Sequence, residues 1–283
     1  MKCNYCPVNC GALRPLTVGA CGAGKLKIAK YSLFKFEEPP VSFDKGSGCV
    51  FFCGCSLRCV FCQNYEISHK AAGREISVNK LADIFKELED MGADNINLVN
   101  PTHYLKDIMG AIEIYRPKIP IIYNTHGYER ADALKLAAQF VDVWLTDLKF
   151  IDPVLSKRYT GKENYAQYAL PAIKFMSEKP LEFSEEGKML SGCIIRHLVL
   201  PQAVYDTKKV IQEVAKFNDG VYFSLMSQYT PHGNVEKFKE LNHKITKREY
   251  NSAVDAVFAA GLKNVFIQDF SSAEEGYIPE WDF

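Results

Sequence analysis

The sequence predicts an α/β protein whose sheet is mostly parallel. Short apolar runs, each suited to one buried strand, recur from Cys49 to the C-terminal region. Between them lie stretches with apolar residues at helical spacing, so strands and helices alternate along the chain. Six or seven such units suit a closed or partly open barrel better than a small doubly wound sheet. We therefore expect a partial (β/α)6-type TIM barrel.

The predicted elements follow one another regularly after the N-terminal segment. The strands are CVFF, NINLV, PIIYN, VDVWLTDLKF, CIIRHLVL, VYFSLM and NVFIQD. The helices are SVNKLADIFKELEDMG, ERADALKLAAQF, NYAQYALPAIKFM, DTKKVIQEVAKF and REYNSAVDAVFAAG. Ser77 is suited to cap the first helix and Gly92 to end it, while Thr246 and Glu249 have the spacing of a capping box. Pro171 is expected to interrupt the third helix.

Composition and charge indicate an ordinary globular protein. The chain has 283 residues, of which 47% are hydrophobic and 24% charged. Lys and Arg together number 34, as do Asp and Glu, so no overall field attracts nucleic acid or an anionic membrane. The N-terminus lacks the apolar core of a signal peptide, and no apolar run has the length of a membrane span. A cytoplasmic protein is expected.

Two regions of different character divide the chain. Residues 1–45 are predicted to be a cysteine-rich N-terminal extension and linker, and residues 46–283 the barrel. The linker includes residues 37–48, where Pro39 and Pro40 prevent a helix.

Polar residues follow the predicted strands at their carboxyl ends, where parallel α/β folds place their active sites. The residues are Asn100, Thr102, His103, Asn124, Thr125, His126, Asp147, Lys149, Gln228, His232, Gln268 and Asp269. For any one of them a surface loop position is an equally good explanation. Together they predict one polar site, and the cysteine-rich loop opens onto it.

Ten cysteines in a chain without an export signal indicate metal or redox chemistry, because disulfides are disfavoured in the cytosol. Nine of them lie in the first 62 residues, and Cys193 is expected to be a buried apolar residue. Cys55, Cys59 and Cys62 are spaced Cys-x3-Cys-x2-Cys. Three thiolates can hold a [4Fe–4S] cluster with one open iron, whereas a tetrahedral zinc site would need a fourth ligand.

This loop resembles a known family. Cys-x3-Cys-x-aromatic-Cys, with Phe61 as the aromatic residue, resembles the cluster motif of the radical SAM superfamily. The stretch SGCVFFCGCSLRCVFCQN is similar to the branch that contains pyruvate formate-lyase activating enzyme. The resemblance implies a radical SAM barrel and an anaerobic oxidoreductase that cleaves S-adenosylmethionine reductively. The resulting 5′-deoxyadenosyl radical would abstract hydrogen from a glycyl-radical enzyme or another protein or peptide. An electron donor such as flavodoxin or ferredoxin is also implied.

The resemblance also assigns cofactor-binding residues. VWLTDLKF is similar to a cofactor-proximal segment of the activases, YNTHG to their DTNG region, IIRHLVLP to VRYVVVP and QYTPHG to LLPYH. A GGE-like turn is replaced here by LVNPTHYL, so Asn100 and Thr102 would hold the amino group. Phe61 is expected to exclude water beside the cluster. The implied cofactor-binding residues are Phe61, Asn100, Thr102, Asn124, Thr125, Asp147, Lys149, Arg196 and His232.

The N-terminal extension has its own cysteine pattern. Cys3, Cys6, Cys10 and Cys21 stand among turn-forming glycines and a proline, and could close around zinc or a second iron–sulfur cluster. The alternative is free thiols in a flexible segment. Cys49 and Cys53 receive no role. For the whole chain, the alternative to an enzyme is a zinc-binding structural or interaction module built on the two cysteine clusters, and the number of ligands at the loop discriminates between them.

Overall fold

The computed structural model describes residues 2–272 and 281, apart from the side chain of Asn218. Its strands form a ten-stranded sheet. In chain order they are β1 (Lys27–Phe34), β2 (Ser47–Phe52), β3 (Arg74–Glu75), β4 (Ile96–Val99), β5 (Ile121–Thr125), β6 (Val143–Asp147), β7 (Glu182–Phe183), β8 (Met189–Leu198), β9 (Tyr222–Met226) and β10 (Val265–Ile267).

The strand order defines an open, mostly parallel sheet. It runs β10-β9-β8-β6-β5-β4-β2-β1-β3, with β7 paired to β8. All neighbours from β10 to β2 are parallel, while β1, β3 and β7 pair antiparallel. The predicted α/β fold with a partial barrel is confirmed. Because parallel strands share one carboxyl edge, the loops after β2, β4, β5, β6, β8 and β9 meet on the same side.

Helices connect the parallel strands. They are α1 (Tyr65–His69), α2 (Val78–Asp90), α3 (Leu105–Ile114), α4 (Ala131–Ala137), α5 (Pro153–Thr160), α6 (Tyr165–Met176), α7 (Val204–Val214) and α8 (Lys247–Ala259). The predicted caps are present: Ser77 accepts the backbone amide of Lys80, and Thr246 forms a capping box with Glu249.

Pro171 does not interrupt its helix. Helix α6 continues from Tyr165 to Met176 through the proline. Pro171 lies on the exposed face, where water can hydrogen-bond the backbone carbonyl that loses its helical partner.

The sheet is continuous across the predicted boundary between the extension and the barrel. Strand β1 pairs antiparallel with β2, so that Tyr31 faces Val50 and Ser32 faces Cys49. The apolar cluster of the barrel also includes Leu26 and Ile28. This strand was not predicted, because its mixed polar and apolar sequence is that of a half-buried strand on the antiparallel side.

Within residues 2–272 and 281, no helix is long and apolar enough to cross a membrane.

Candidate active site

A large cavity opens at the carboxyl ends of the parallel strands. Its volume is about 670 Å³. All three cysteines of the predicted cluster motif line it, together with seven of the nine predicted cofactor-binding residues. Those seven are Phe61, Asn100, Asn124, Thr125, Asp147, Lys149 and Arg196. The sequence therefore identified most of the polar wall of the cavity.

Tight backbone geometry shapes the loop that carries Cys55, Cys59 and Cys62. Gly54 has a φ of +89° and Arg58 a φ of +55°, so the chain turns sharply on both sides of Cys55. The backbone amide of Cys62 donates to the carbonyl of Cys59 at 3.2 Å. This turn directs the three thiols into the cavity.

Cys55 and Cys59 are buried and Cys62 is half-buried, and burial controls the protonation of their thiols. Burial raises the pKa of the Cys55 thiol to about 12 and raises that of the Cys59 thiol further. Backbone amides of Arg58 and Leu57 donate to the Cys55 sulfur and act in the opposite direction. Buried thiolates require a compensating positive charge, which a metal centre supplies when it binds.

The donor set fits an iron–sulfur cluster. Among residues 2–272 and 281, no three His, Cys, Asp or Glu side chains are placed as ligands of one metal ion. A cubane does not require such convergence, because each of its thiolates binds a different iron. Asn100 supplies a second indication: its side-chain oxygen is buried without a partner and can accept a hydrogen bond from a ligand in the cavity.

Phe61 is held between aromatic rings next to the cysteines. It forms edge-to-face contacts with Phe150, Tyr159 and Tyr229 at centroid distances of 6.2, 6.2 and 6.3 Å. Only 6% of Phe61 is exposed. The rings of this aromatic cluster pack around Phe61, and its exclusion of water beside the cluster stays a prediction.

Asp147, Lys149 and Arg196 form one charged network in the cavity wall. The Nζ atom of Lys149 donates to Asp147 Oδ2 at 2.6 Å, and the Nε atom of Arg196 donates to Asp147 Oδ1 at 3.0 Å. Burial raises the pKa of Asp147, but the two cations outweigh it and hold that pKa below its usual range. Burial likewise lowers the pKa of Lys149, while Asp147 raises it above its usual value. All three groups are therefore charged at neutral pH.

Arg196 points into the cavity and its neighbour His197 points away from it. Arg196 Nη2 donates to Asn124 Oδ1 at 2.6 Å. His197 instead contacts the carbonyl of Leu148 at 2.7 Å and the hydroxyl of Thr207 at 3.0 Å. The alternation of side chains along a strand predicts this division.

Two acidic residues of the linker complete the network and were missed by sequence reasoning. Glu37 Oε2 accepts a hydrogen bond from Arg196 Nη1 at 3.1 Å, and Glu37 Oε1 accepts one from Asn97 at 3.1 Å. Glu38 Oε2 lies 3.8 Å from Arg196 Nη1 and has no hydrogen-bond partner. Burial raises the pKa of Glu37 to about 7, although Arg196 acts to lower it. The adjacent pair of glutamates is the one sequence signal for this feature.

Asn100 joins the end of β4 to the cluster loop. Its φ of +59° is tolerated by asparagine better than by most residues. Its side-chain amide donates to the carbonyl of Gly54 at 2.5 Å, and its backbone amide donates to the carbonyl of Asn124 at 2.8 Å. Asn100 thus positions the loop as well as lining the cavity.

His126 is a neutral histidine in the cavity wall. The backbone amide of Tyr128 donates to its Nδ1 atom at 3.1 Å, so in the neutral ring Nε2 carries the proton and donates to Ser56 Oγ at 3.1 Å. Burial lowers the pKa of His126 to about 4. The residue fixes the position of Ser56 beside Cys55.

Thr102 and His232 do not line the cavity. The hydroxyl of Thr102 donates to Glu129 Oε1 at 2.6 Å, and the hydroxyl of Thr125 donates to the same oxygen. Thr102 is buried in this contact, and it was predicted as a cofactor ligand because LVNPTHYL stands in the place of a GGE-like turn. His232 precedes Gly233, where an added Cβ would lie 2.6 Å from the carbonyl of Val60 in the cluster loop.

The remaining cysteines lie outside the cavity. Cys53 donates its thiol hydrogen to the carbonyl of Ala72 at 2.9 Å, and Cys49 is fully buried within β2. Cys193 is also fully buried, as predicted. The four cysteines of the extension form a group of their own behind the cluster loop.

A partial parallel barrel with three cysteines beside a cavity at its carboxyl edge is an arrangement suited to an iron–sulfur cluster. The profile of the Radical SAM superfamily matches residues 49–184. Residues 49–184 are therefore similar to the radical SAM superfamily. The match favours an enzyme over the zinc-binding module, and it implies a [4Fe–4S] cluster and binding of S-adenosylmethionine.

Relatives and solved structures agree with this fold. An uncharacterised protein of Methanocaldococcus jannaschii is 27% identical over 264 residues, which cover 90% of this chain and 73% of that protein. SuiB of Streptococcus suis, solved with S-adenosylmethionine, has a TM-score of 0.51 at 16% identity and is matched over 78% of this chain. This chain spans 50% of the SuiB chain. Methylornithine synthase has a TM-score of 0.50 at 12% identity over 75% of this chain and 68% of its own. Identities this low concern the fold alone.

Proposed function

We propose that this protein cleaves S-adenosylmethionine reductively at a cluster held by Cys55, Cys59 and Cys62 and uses the product radical for hydrogen abstraction. The observation that carries the proposal is the position of these three thiols in one cavity with the Asp147 network. When bound, the cluster supplies the electron that converts S-adenosylmethionine into methionine and a 5′-deoxyadenosyl radical. The residues of the chain bind and orient the cofactor and exclude water.

Lys149 is suited to bind the carboxylate of S-adenosylmethionine. An ammonium group has three donors, of which one goes to Asp147 at 2.6 Å. Lys149 also lies close enough to Cys59 to interact with it electrostatically, so its free donors are next to the cluster site. Arg196 is less suited, because Asp147, Glu37 and Asn124 already occupy its guanidinium.

Two unpartnered acceptors are suited to bind the amino group of the cofactor. Asn100 Oδ1 and Glu38 Oε2 are buried without hydrogen-bond partners, and both residues line the cavity. An ammonium group would supply the missing hydrogen-bond donors. Asn100 fulfils here the role that the resemblance assigned to it together with Thr102.

The hydrogen donor would be a protein or peptide segment, such as the backbone glycine of a glycyl-radical enzyme. Apolar rings of Phe34, Phe36, Phe51 and Phe266 line the cavity in addition to its polar wall. Such a surface can hold an extended peptide by contact with its side chains. A flavodoxin or ferredoxin is proposed as the electron donor of this oxidoreductase.

The cleavage step can be tested directly. Protein reconstituted anaerobically should hold about four irons in the cluster loop. After reduction with dithionite and incubation with S-adenosylmethionine, chromatography should detect 5′-deoxyadenosine. Cys59→Ala should abolish the product, whereas Cys193→Ser, at a buried cysteine outside the cavity, should retain it. An intact cluster that forms no nucleoside would refute the proposal.

The acceptor requires a separate experiment. The reduced protein is mixed under strict anoxia with S-adenosylmethionine and a candidate glycyl-radical enzyme, and the sample is frozen for electron paramagnetic resonance. A protein-based radical that depends on all three components supports activation of that enzyme. If S-adenosylmethionine is cleaved but no such radical forms, the proposed cleavage stands and the candidate glycyl-radical enzyme is rejected as the substrate.

A further inference from the structure

The N-terminal extension folds into a small hairpin around its cysteines. Lys2 and Leu13 form an antiparallel bridge, and the backbone amide of Cys3 donates to the carbonyl of Ala12 at 2.9 Å. Cys6 and Cys10 lie in the loop between the two bridging residues. The backbone amide of Asn9 donates to the carbonyl of Cys6 at 3.0 Å and closes this turn.

The four cysteines lie near one another, with Cys3, Cys6 and Cys21 buried and Cys10 exposed. A Cβ atom placed on Gly19 would lie 3.4 Å from the sulfur of Cys10 and 3.4 Å from that of Cys21, so both sulfurs flank this glycine. The side chains of Cys3 and Cys10 share a hydrogen bond, and Cys6 interacts electrostatically with both Cys3 and Cys21. The four thiols therefore lie in one group, although within residues 2–272 and 281 no three such side chains are placed as ligands of a single metal ion.

Backbone amides point at these sulfurs in a repeated pattern. The amide two residues further on donates to the sulfur at three of these cysteines, from Val8 to Cys6, from Ala12 to Cys10 and from Ala23 to Cys21. Two cysteines of the cluster loop have the same arrangement, Cys55 with Leu57 and Cys62 with Asn64. Cys53 instead donates its own hydrogen to a carbonyl. Amides directed at sulfur favour the thiolate, which is the form that binds metals.

The extension has little apolar interior to hold these thiols in place. Cys3, Cys6 and Cys21 are buried, whereas Leu13, Leu16 and Val18 are 47%, 86% and 68% exposed. A segment of this size that buries sulfur and exposes leucine gains little from the hydrophobic effect. Small folds of this kind are usually held together by a metal or by disulfides, and all four cysteines are free.

The cysteine group is joined directly to the cluster loop. The backbone amide of Cys55 donates to the carbonyl of Cys21 at 2.8 Å. At Gly54 an added Cβ would lie 2.6 Å from the same carbonyl, so the two backbones are in close contact. The guanidinium of Arg58 reaches the carbonyl of Ala20 at 3.5 Å. An interaction that holds Cys21 in place therefore also holds the backbone at Cys55 in place.

We propose that Cys3, Cys6, Cys10 and Cys21 bind a second metal centre, either zinc or an iron–sulfur cluster, and that this centre positions the loop that carries Cys55. Zinc would require the four sulfurs to move together onto one position, because in residues 2–272 and 281 no three such side chains converge on one metal ion, whereas the thiolates of a cluster bind different irons. The proposal is independent of S-adenosylmethionine cleavage, because none of the four cysteines lines the cavity.

Metal analysis of anaerobically purified full-length variants tests the site. Cys55→Ala/Cys59→Ala/Cys62→Ala should retain about one zinc, or iron and sulfide with cluster absorbance, bound to the extension. Adding Cys6→Ser and Cys10→Ser to this variant should remove that metal, whereas adding Cys193→Ser should not. The proposal is overturned if the triple variant holds no more metal than the quintuple variant. Zinc and iron contents distinguish the two kinds of centre.

Alkylation of the wild-type protein gives a readout that does not depend on how the variants fold. Cys10 is the exposed member of the group. With a metal bound, its modification by iodoacetamide, followed by mass spectrometry, should be at least about ten-fold slower than after treatment with a chelator. An equal rate before and after chelation would contradict a metal at Cys10.

The link to the cluster loop has its own readout. Cys6→Ser/Cys10→Ser with Cys55, Cys59 and Cys62 intact should lose part of its loop iron, or show a changed electron paramagnetic resonance spectrum of the reduced cluster. An unchanged loop iron content together with an unchanged spectrum would reject the positioning role.

Discussion

Glu37 of the linker accepts a hydrogen bond at 3.1 Å from Arg196 of strand β8, although 158 residues separate them along the chain. Their side chains are 9% and 15% exposed. Arg196 also binds Asp147 at 3.0 Å. The linker is therefore part of the cavity wall, and the cavity contains an ion pair that connects the N-terminal region to the barrel.

Replacement of Arg196 should reveal the charge state of Glu37. Arg196→Met removes the cation between two buried carboxylates, and breaking such a pair costs about 3–5 kcal/mol. Since burial raises the pKa of Glu37 to about 7, the residue is mostly protonated at pH 5.5 and needs its partner less there. The loss of unfolding free energy should thus be larger at pH 8 than at pH 5.5, as measured by denaturant titration.

A surface pair provides the control for this comparison. Lys263 and Asp219 are 75% and 59% exposed, and Lys263→Met should change the unfolding free energy by less than about 1 kcal/mol at either pH. An Arg196→Met effect of equal size at both pH values would show that Glu37 does not titrate in this range.

Glu37 is a site residue that the sequence did not predict. The strands, the polar residues at their carboxyl ends and the cysteine loop have local signals, because period and spacing are visible in the sequence. Glu37 reaches the site because β1 pairs with β2 and returns the chain over the cavity, and no local pattern encodes that pairing. Thr102 illustrates the reverse case: it follows a strand, as expected, but turns towards Glu129.

Glu129 should make folding stability depend on pH. Burial raises its pKa to about 7, and the hydroxyls of Thr102 and Thr125 only partly offset this. A carboxyl group with a raised pKa binds more protons in the folded state than in the unfolded state. Its contribution to the unfolding free energy is therefore largest at low pH and declines as the pH rises from about 4.5 to about 7. Over this range, ionisation of Glu129 should lower the unfolding free energy by at most about 3 kcal/mol.

Glu129→Gln tests this dependence, because glutamine stays neutral and its amide oxygen can still accept the two hydroxyls. The loss of unfolding free energy between pH 5 and pH 8 should be smaller in the variant than in the wild type. Glu163→Gln, at a carboxyl group that is 65% exposed, is the matched control and should follow the wild type. A variant with the wild-type pH profile would place the ionisation of Glu129 outside this range.

Gly54 should tolerate no side chain. Its φ of +89° disfavours other residues, and an added Cβ would lie 2.6 Å from the carbonyl of Cys21. Gly161 has a φ of +70° but nothing within 4 Å of its Cβ position. Gly161→Ala should therefore cost about 1 kcal/mol from backbone strain alone.

Gly54→Ala should add a steric clash to the same strain, lower the melting temperature more than Gly161→Ala does, and reduce the iron bound in anaerobic reconstitution. Differential scanning calorimetry and iron analysis of both variants measure these effects. If both glycines respond alike, the close approach of Cys21 to the cluster loop does not constrain position 54.

Lys149 is the residue whose replacement should separate cofactor binding from cluster binding. Its ammonium group lies in the cavity wall, 2.6 Å from Asp147, and it keeps donors for an anionic ligand. A charge-assisted hydrogen bond to the cofactor carboxylate contributes about 1.5–3 kcal/mol, so Lys149→Met should weaken affinity for S-adenosylmethionine about ten- to a hundred-fold. Asp147 keeps Arg196 as a partner at 3.0 Å, and the fold should therefore persist. The cluster absorbance should not change, because Lys149 is not a ligand.

Lys209→Met, which removes a lysine paired with Asp152 outside the cavity, is the control. Titration with S-adenosylmethionine measures both variants, and wild-type affinity in Lys149→Met would mean that the lysine only neutralises Asp147.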